Sequence, residues 1–166
     1  MECPPNFGRV GSQIFRSSFP KKQHFEFLKK LKLKSILVLL PEEYPEHNEE
    51  FCKENNIQIF QVPLDGNKEP FVHVKKEDLE RAVNIALDSS NHPILIHCNQ
   101  GKHRTGCVVG CIRRLQNVSL ALIFEEYRRY AYPKVRSLDQ LIIELFDDEY
   151  GKHNDVVQAG LKNIYS

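Results

Sequence analysis

The stretch of sequence that decides the fold is ILIHCNQGKHRTG, residues 94–106. It opens with an apolar run after Pro93, which is typical of a strand buried on both faces of a sheet. Gly101 then predicts a turn, and we expect a helix from about Arg104 to Leu115. This helix is apolar on several sides, which indicates a central position in the molecule.

The rest of the chain shows the same alternation of strand and helix patterns. Further strands are expected at residues 14–16, 35–40 and 57–61, and further helices near residues 25–31, 45–55 and 79–87. Ser119 is a candidate cap for another helix, and Ser137 to Gln140 has the capping-box pattern before a last one. We therefore expect an α/β fold with a central, mostly parallel sheet flanked by helices. Residues 1–150 should form one domain and residues 151–166 a loosely held C-terminal tail.

Composition excludes several classes of protein. The 166 residues are 41% hydrophobic and carry a net charge of +1, which argues against a coat for nucleic acid. Basic residues concentrate between positions 102 and 136, so a local basic surface is compatible with overall neutrality. The longest apolar run is too short to span a bilayer, and the first residues lack the pattern of a signal peptide. With five cysteines in no framework spacing, we expect a cytosolic or nuclear protein with reduced thiols and no membrane insertion.

The loop between the predicted strand and helix carries the chemistry. Cys98 follows the strand directly, and Arg104 stands six positions later, where the helix begins. Backbone N–H groups of such a loop, the helix N-terminus and the guanidinium fork can all bind one phosphate dianion. The same positive field favours a thiolate, so we expect Cys98 to be charged at neutral pH and to attack phosphorus. The residues expected to bind phosphate or substrate in this loop are Asn99, Gln100, Gly101, Lys102 and His103.

This Cys-x5-Arg pattern, with His97 before it and Thr105-Gly106 at its end, resembles the cysteine-dependent protein tyrosine and dual-specificity phosphatases. The chain more specifically resembles the plant and fungal atypical dual-specificity phosphatases, over about residues 7–148. The segments that carry this likeness are residues 6–8, 14–17, 41–45, 66–71, 101–106 and 126–130.

Members of that family are known as phosphatases of inositol pyrophosphates, chiefly removing the β-phosphate at the 5 position. The resemblance implies that Cys98 forms a phosphocysteine, that Arg104 and the loop amides hold the phosphoryl group, and that neighbouring cations hold ring phosphates. It implies no metal and no cofactor. One departure is Gln100, which stands where family members often carry arginine and removes a positive charge near the mouth of the site.

Several residues outside the loop are candidates for supporting roles. Asp65 lies 33 residues before Cys98 in the loop predicted from Pro63 to Pro70, a placement similar to that of the general acid in the wider superfamily. Asp65-Gly66 is also an ordinary turn dipeptide, and both interpretations stay open. Lys68 in the same stretch is a candidate contact for substrate phosphate. The late cations Arg128, Arg129, Lys134 and Arg136 are further candidates, of which we expect two or three at most to face the site.

The residues that flank the loop have alternative structural roles. His97 is expected to hydrogen-bond the loop rather than to act as a base. Thr105 is a candidate hydroxyl donor to Cys98 in the hydrolysis step, with helix capping as the alternative. Cys107 and Cys111 lie four apart on one helical face, as small core residues do, which we favour over a zinc site shared with His103.

Three other functions compete with an inositol pyrophosphate phosphatase. Protein phosphotyrosine is the main alternative substrate, and the depth of the pocket would discriminate between the two. A sulfurtransferase also uses a loop cysteine, but Arg104 followed by Thr105-Gly106 is the phosphatase arrangement. Retention of both Cys98 and Arg104 argues against a catalytically idle phosphate-binding scaffold.

Overall fold

Strands and helices alternate through the first two thirds of the chain, and helices follow. The computed structural model describes residues 1–67, 74–146 and 149–164. The strands in this part of the chain are β1 (Gly8–Arg9), β2 (Ile14–Ser17), β3 (Ser35–Val38), β4 (Gln58–Gln61) and β5 (Ile94–His97). The α-helices are α1 (Phe25–Lys30), α2 (Glu46–Glu54), α3 (Lys76–Leu87), α4 (Arg104–Leu115), α5 (Leu120–Ala131), α6 (Ser137–Leu145) and α7 (Asp155–Asn163). Short 3-10 turns span Lys22–His24 and Ser89–Asn91.

The strands form one sheet in the order β1-β2-β5-β3-β4. All neighbouring strands are parallel except β1, which pairs antiparallel with β2 and is only two residues long. The prediction of a mostly parallel α/β sheet is therefore confirmed. Strand β5 lies between β2 and β3, so its last residue, His97, is level with Ser17 on one side and Val38 on the other.

Helices cover the sheet and bury its central strands completely. Every residue of β2, β3 and β5 is buried, as expected for strands packed on both faces. Helix α4 contacts α3, α5 and α6, and its bounds are those predicted. Each aliphatic side chain that is fully buried in this core contributes roughly 1.5–3 kcal/mol to stability. The result is a rigid support at the point where β5 ends and α4 begins.

The C-terminal segment corrects one expectation from the sequence. Residues 155–163 form helix α7, and Asn154 is its N-cap residue. The Asn154 side chain accepts hydrogen bonds from the backbone N–H groups of Val156 and Val157. Val157 is fully buried, and α7 packs against α3 so closely that a Cβ on Gly160 would lie against the Leu87 carbonyl oxygen. The idea of a loosely held tail is wrong for this helix, because its apolar face completes the core beside α3.

The capping pattern at the start of α6 is also corrected. The N-cap position is Arg136, with no side-chain capping hydrogen bond, and Ser137 is already the first helical residue. By contrast, the Ser119 hydroxyl accepts a hydrogen bond from the Leu122 N–H and caps α5 as predicted. The physical reason at α6 is that Asp139 points inward, where it binds two buried side chains described below.

The helices of the described residues give no indication of a membrane span. None of them combines the length and the apolar character that crossing a bilayer requires.

Candidate active site

Cys98 lies at the carboxyl end of the central strand. It is 4% exposed and follows β5 directly, while Arg104 is the first residue of α4. In parallel sheets, ligands bind beyond the carboxyl ends of the strands where the order of strands reverses. The chain passes outward from β3 to β4 and then returns to place β5 between β2 and β3, so Cys98 stands at such a point.

The residues from Cys98 to His103 form a loop, called here the Cys98 loop, whose first four carbonyl groups accept hydrogen bonds from residues outside the loop. The first of them, on Cys98, accepts a hydrogen bond from His97 Nδ1 at 2.9 Å, and His97 Nε2 in turn accepts one from the Tyr44 hydroxyl at 2.9 Å. Burial lowers the pKa of His97 to about 4, so the ring is neutral at pH 7. The structure therefore gives His97 the loop-binding role expected from the sequence.

Three donors from the N-terminal part of the chain hold the next three carbonyl groups. The pairs are Phe19 N–H with Asn99 at 2.9 Å, Asn6 Nδ2 with Gln100 at 3.2 Å, and Arg16 Nη2 with Gly101 at 3.0 Å. In a planar trans peptide the N–H points away from the C=O of the same unit. The N–H groups of residues 99–102 are therefore directed away from these partners. In the part of the chain that the structure describes, they have no hydrogen-bond partner, which leaves them for an anion.

Gly101 is required by the close approach of this loop to β2. Its φ is +72°, in the left-handed region, and a Cβ there would lie 2.6 Å from the backbone carbonyl group of Ser17. Any other residue would both strain the backbone and displace β2 or the loop. The glycine thus fixes the shape of the loop as well as allowing the turn.

Arg16 is a buried cation beneath the loop. It is 1% exposed, and its guanidinium lies 3.7 Å from the centroid of the Tyr130 ring. Burial lowers the pKa of Arg16 to about 10, which leaves it charged at neutral pH. Arg16 and Cys98 interact electrostatically, so the structure places a positive charge beneath the predicted nucleophile.

The front of the loop opens into a cavity of about 300 Å³. Its lining is Cys98, Asn99, Gln100, Lys102, His103, Arg104, Lys134 and Arg136. Four of these side chains are permanent cations, and no carboxylate lines the cavity among the residues that the structure describes. Arg104 Nε is buried without a hydrogen-bond partner in residues 1–67, 74–146 and 149–164, so it is free to bind a phosphate oxygen.

The candidate general acid stays outside this lining. Asp65 is exposed and does not line the cavity, although the next residue, Gly66, reaches it: a Cβ on Gly66 would lie 3.6 Å from both Arg104 Nη2 and Arg136 Nη1. The segment therefore passes over the mouth of the site, and the role of Asp65 stays a prediction. Lys68 lies outside the described residues.

Other predicted residues are placed as follows. His103 lines the cavity, but its Nε2 donates to the Lys134 carbonyl at 2.6 Å and burial lowers its pKa, so it ties the loop to the segment before α6 instead of adding a charge. Thr105 is fully buried, its hydroxyl has no partner in the described chain, and it does not cap α4, whose N-cap is His103. Arg128 does not line the cavity, because its side chain lies along α5 and donates to Gln140 on α6.

Two cysteines of α4 are core residues, as the sequence indicated. Cys107 and Cys111 are buried, and burial raises the pKa of both thiols, which makes them unreactive at neutral pH. No group of metal-ligating side chains is found among the described residues.

The sequence did not reveal the residues that hold the loop from behind. Asn6 and Arg16 are separated from their carbonyl partners by 94 and 85 residues, and neither stands in a pattern that indicates a site. Lys134 was one of several late cations, and only its place in the cavity distinguishes it from Arg128 and Arg129.

Comparisons with known proteins agree with this geometry. The sequence profile of the tyrosine phosphatase family matches residues 3–164. The chain is 58% identical over 147 residues to inositol diphosphatase SIW14 of Saccharomyces cerevisiae, covering 88% of this chain and 52% of that protein, so it spans about half the length of this relative. It is 52% identical over 150 residues to inositol diphosphatase DSP4 of Arabidopsis thaliana, covering 90% of this chain and 76% of that one.

A crystal structure provides the same comparison for the fold. The core catalytic domain of the S. cerevisiae PP-IP phosphatase SIW14, in complex with citrate, superposes with a TM-score of 0.87 at 54% identity, covering 92% of this chain and 91% of that one. The family match over nearly the whole chain and the shared fold lead to one conclusion: this chain belongs to the tyrosine phosphatase family.

Proposed function

We propose that this chain is a cysteine phosphatase that removes the β-phosphate of inositol pyrophosphates. In the first step Cys98 Sγ attacks the β-phosphorus, an S–P bond forms, and the P–O bond to the α-phosphate oxygen breaks. In the second step water attacks the phosphocysteine, the S–P bond breaks, and inorganic phosphate leaves. The relatives named inositol diphosphatase, which match about nine tenths of the chain, support this substrate class.

The observation that carries the proposal is the lining of the cavity. Lys102, Arg104, Lys134 and Arg136 surround Cys98, and the described part of the lining holds no carboxylate and no phenylalanine, tyrosine or tryptophan ring. Phosphotyrosine recognition needs apolar or aromatic walls for the phenyl ring. A ring bearing several phosphates needs cations around its edge instead, and this is what the cavity provides.

The loop amides and Arg104 have distinct roles in this reaction. The N–H groups of residues 99–102 are held in place by the carbonyl contacts on the far side of the loop, so they need no reorganisation when charge develops on the equatorial oxygens. Arg104 contributes a planar fork that can follow two of these oxygens into the transition state. Lys134 and Arg136 stand at the edge of the cavity, where ring phosphates would lie.

The test is a comparison of substrates with purified protein. We expect kcat/KM to be highest on a 5-diphosphoinositol polyphosphate, lower on a phosphotyrosine peptide, and lower on phosphoinositides in vesicles. Release of inorganic phosphate should be accompanied by an inositol product with one phosphate group fewer than the substrate, measured by chromatography. Cys98→Ser is the control, and it should abolish turnover of all three. Faster turnover of the phosphotyrosine peptide than of any inositol pyrophosphate would replace the proposal with a protein phosphatase.

A further inference from the structure

A buried carboxylate lies behind the active site and is not used by the mechanism above. Asp139, in the first turn of α6, is 1% exposed. It accepts a hydrogen bond from Asn67 Nδ2 at 2.9 Å and another from the Tyr127 hydroxyl at 2.5 Å. The Cys107 thiol of α4 interacts electrostatically with it. Burying a carboxylate is costly unless donors satisfy it, and here Asn67 and Tyr127 do so.

Asn67 connects this carboxylate to the segment that carries the candidate general acid. Its Oδ1 accepts from the Val74 N–H at 3.1 Å, while its Nδ2 donates to Asp139. Asn67 is 2% exposed and directly follows Gly66, which reaches Arg104 and Arg136 at the mouth of the cavity. The position of residues 65–66 over the site is therefore set through Asn67.

Tyr127 connects the same carboxylate to a cation of the cavity. Its hydroxyl donates to Asp139 and accepts from the Arg136 backbone N–H at 3.3 Å. Arg136 lines the cavity beside Cys98. The hydrogen bonds of Asp139 therefore lead to residues 65–66 through Asn67 and to this cation through Tyr127.

Asn67 and Tyr127 are both donors to residue 139, so this residue must offer two acceptors. Asn67 Oδ1 is occupied by Val74, so its Nδ2 must face Asp139. The Tyr127 oxygen accepts from Arg136, so its single hydrogen goes to Asp139. A carboxylate offers two acceptors, whereas an amide offers one acceptor and one donor group. Asparagine at position 139 would therefore oppose two NH₂ groups or lose Tyr127.

We propose that Asp139 is a positioning residue of the reaction, which sets the place of residues 65–66 through Asn67 and of Arg136 through Tyr127. This inference builds on the proposed function, in which Arg136 binds a ring phosphate, and on the prediction from the sequence that Asp65 protonates the leaving group. Asp139 acts through these residues and touches no substrate itself. Its loss should change how strongly the rate depends on the leaving group, which a purely structural role would not do.

The test exchanges the two polar partners. In the double variant Asn67→Asp/Asp139→Asn, the new carboxylate at 67 accepts from Val74 N–H and from the amide at 139, whose oxygen accepts from Tyr127. All three hydrogen bonds are thus restored, and only the one between residues 67 and 139 changes its direction. The single variants Asp139→Asn and Asn67→Asp each leave like groups facing each other, two amides or two carboxylates.

The readout is kcat on a series of aryl phosphates whose phenols differ in acidity, together with kcat and KM on the inositol pyrophosphate. We expect Asp139→Asn to lower kcat on the poorest leaving group about 10- to 100-fold, because general acid help is worth ~10²- to 10⁴-fold. The loss should shrink as the phenol becomes more acidic. The double variant should return to within about threefold of the native chain across the series.

A control separates positioning from stability. Asn154→Ala removes the cap of α7, remote from the site, and lowers folding stability. It should leave the leaving-group dependence unchanged. The proposal is overturned if Asp139→Asn behaves as the native chain, or if the double variant is unfolded or no faster than the single ones. Because the aryl phosphates report on Asp139 even if inositol pyrophosphates are not turned over, failure of this inference and failure of the proposed function are distinguishable.

Discussion

Replacing Arg16 by methionine should damage catalysis much more than folding. The substitution removes the hydrogen bond from Nη2 to the Gly101 carbonyl and the contact with the Tyr130 ring. A hydrogen bond from a charged donor is worth about 1.5–3 kcal/mol and a desolvated cation–π contact about 2 kcal/mol. Against this, the fall in the pKa of Arg16 from 12.5 to about 10 reflects a burial cost of about 3 kcal/mol, which methionine does not have.

These opposing contributions nearly cancel in the folded state. The free energy of unfolding should therefore fall by no more than about 2 kcal/mol. In the active site nothing replaces the lost contact, and the Gly101 peptide can rotate, so the N–H of Lys102 loses its fixed direction. Loss of one oriented N–H donor to a developing oxyanion costs about 10²- to 10³-fold in kcat. Because that donor acts on the transferred phosphoryl group, the loss should be similar on every substrate.

The assay is kcat on an aryl phosphate and on an inositol pyrophosphate, with urea unfolding of the same samples. Arg9→Met is the matched control, because Arg9 lies on the neighbouring strand, is exposed, and places its guanidinium over the Phe15 ring at 5.2 Å from the centroid. It should leave kcat unchanged. If Arg16→Met retained kcat within about threefold, or lost activity only in proportion to its unfolded fraction, the reasoning about the loop carbonyl groups would be refuted.

The other predictions concern the front of the site and its support. Arg104→Lys should lose kcat/KM nearly as much as Arg104→Ala, because a point charge cannot reproduce the bidentate fork; retention of most activity would remove Arg104 from the transition state. The double variant Lys134→Gln/Arg136→Gln should raise KM for an inositol pyrophosphate about 10-fold or more, at ~1 kcal/mol per charge, and should make KM less dependent on salt. Arg128→Gln is the control and should leave KM unchanged. Equal effects of the pair on an aryl phosphate would contradict this. Asp65→Asn should cost little on the diphosphate, whose leaving group has a pKa near ~6 to 7, and ~10²-fold or more on an aryl phosphate that expels a phenol. The pKa of His97 falls on folding from 6.5 to about 4, so between these pH values the unfolded chain binds a proton that the folded chain does not. The free energy of unfolding should therefore decrease by about 3 kcal/mol as the pH drops through this range. Urea unfolding at pH 4.5 and 7 should show this decrease in the native chain and a smaller one in His97→Asn, and identical decreases would contradict it.

The strand, loop and helix around Cys98 were predictable because the signals there are local. An apolar run, a glycine and an apolar helix succeed one another within about 25 residues, and the structure places α4 over Arg104–Leu115 as expected. The pairing of Cys98 with Arg104 follows from the same short stretch. Contacts within one loop can be deduced from spacing, because the chain itself brings the residues together.

The missed features depend on contacts between distant segments. Helix α7 has a weakly apolar sequence, and the packing of Val157 and Gly160 against α3 stabilises it in addition to the Asn154 cap. The pattern from Ser137 to Gln140 indicated a cap, but the inward hydrogen bonds of Asp139 to Asn67 and Tyr127 place the helix start differently. No local pattern shows which distant donor will meet a buried carboxylate.

The long separation between Asn6 or Arg16 and the carbonyl groups they hold also affects how activity is acquired during folding. Their partners lie 94 and 85 residues further along the chain. Contacts between such distant residues carry a large loop-closure entropy and form late. The pairing of β2 with β5 spans a similar separation, from Ile14 to Ile94, so local helices can form while both the central sheet and the Cys98 loop still lack their final shape. In a refolding experiment, far-UV ellipticity should return before enzymatic turnover, and the delay between them measures the docking of the first 20 residues onto the loop.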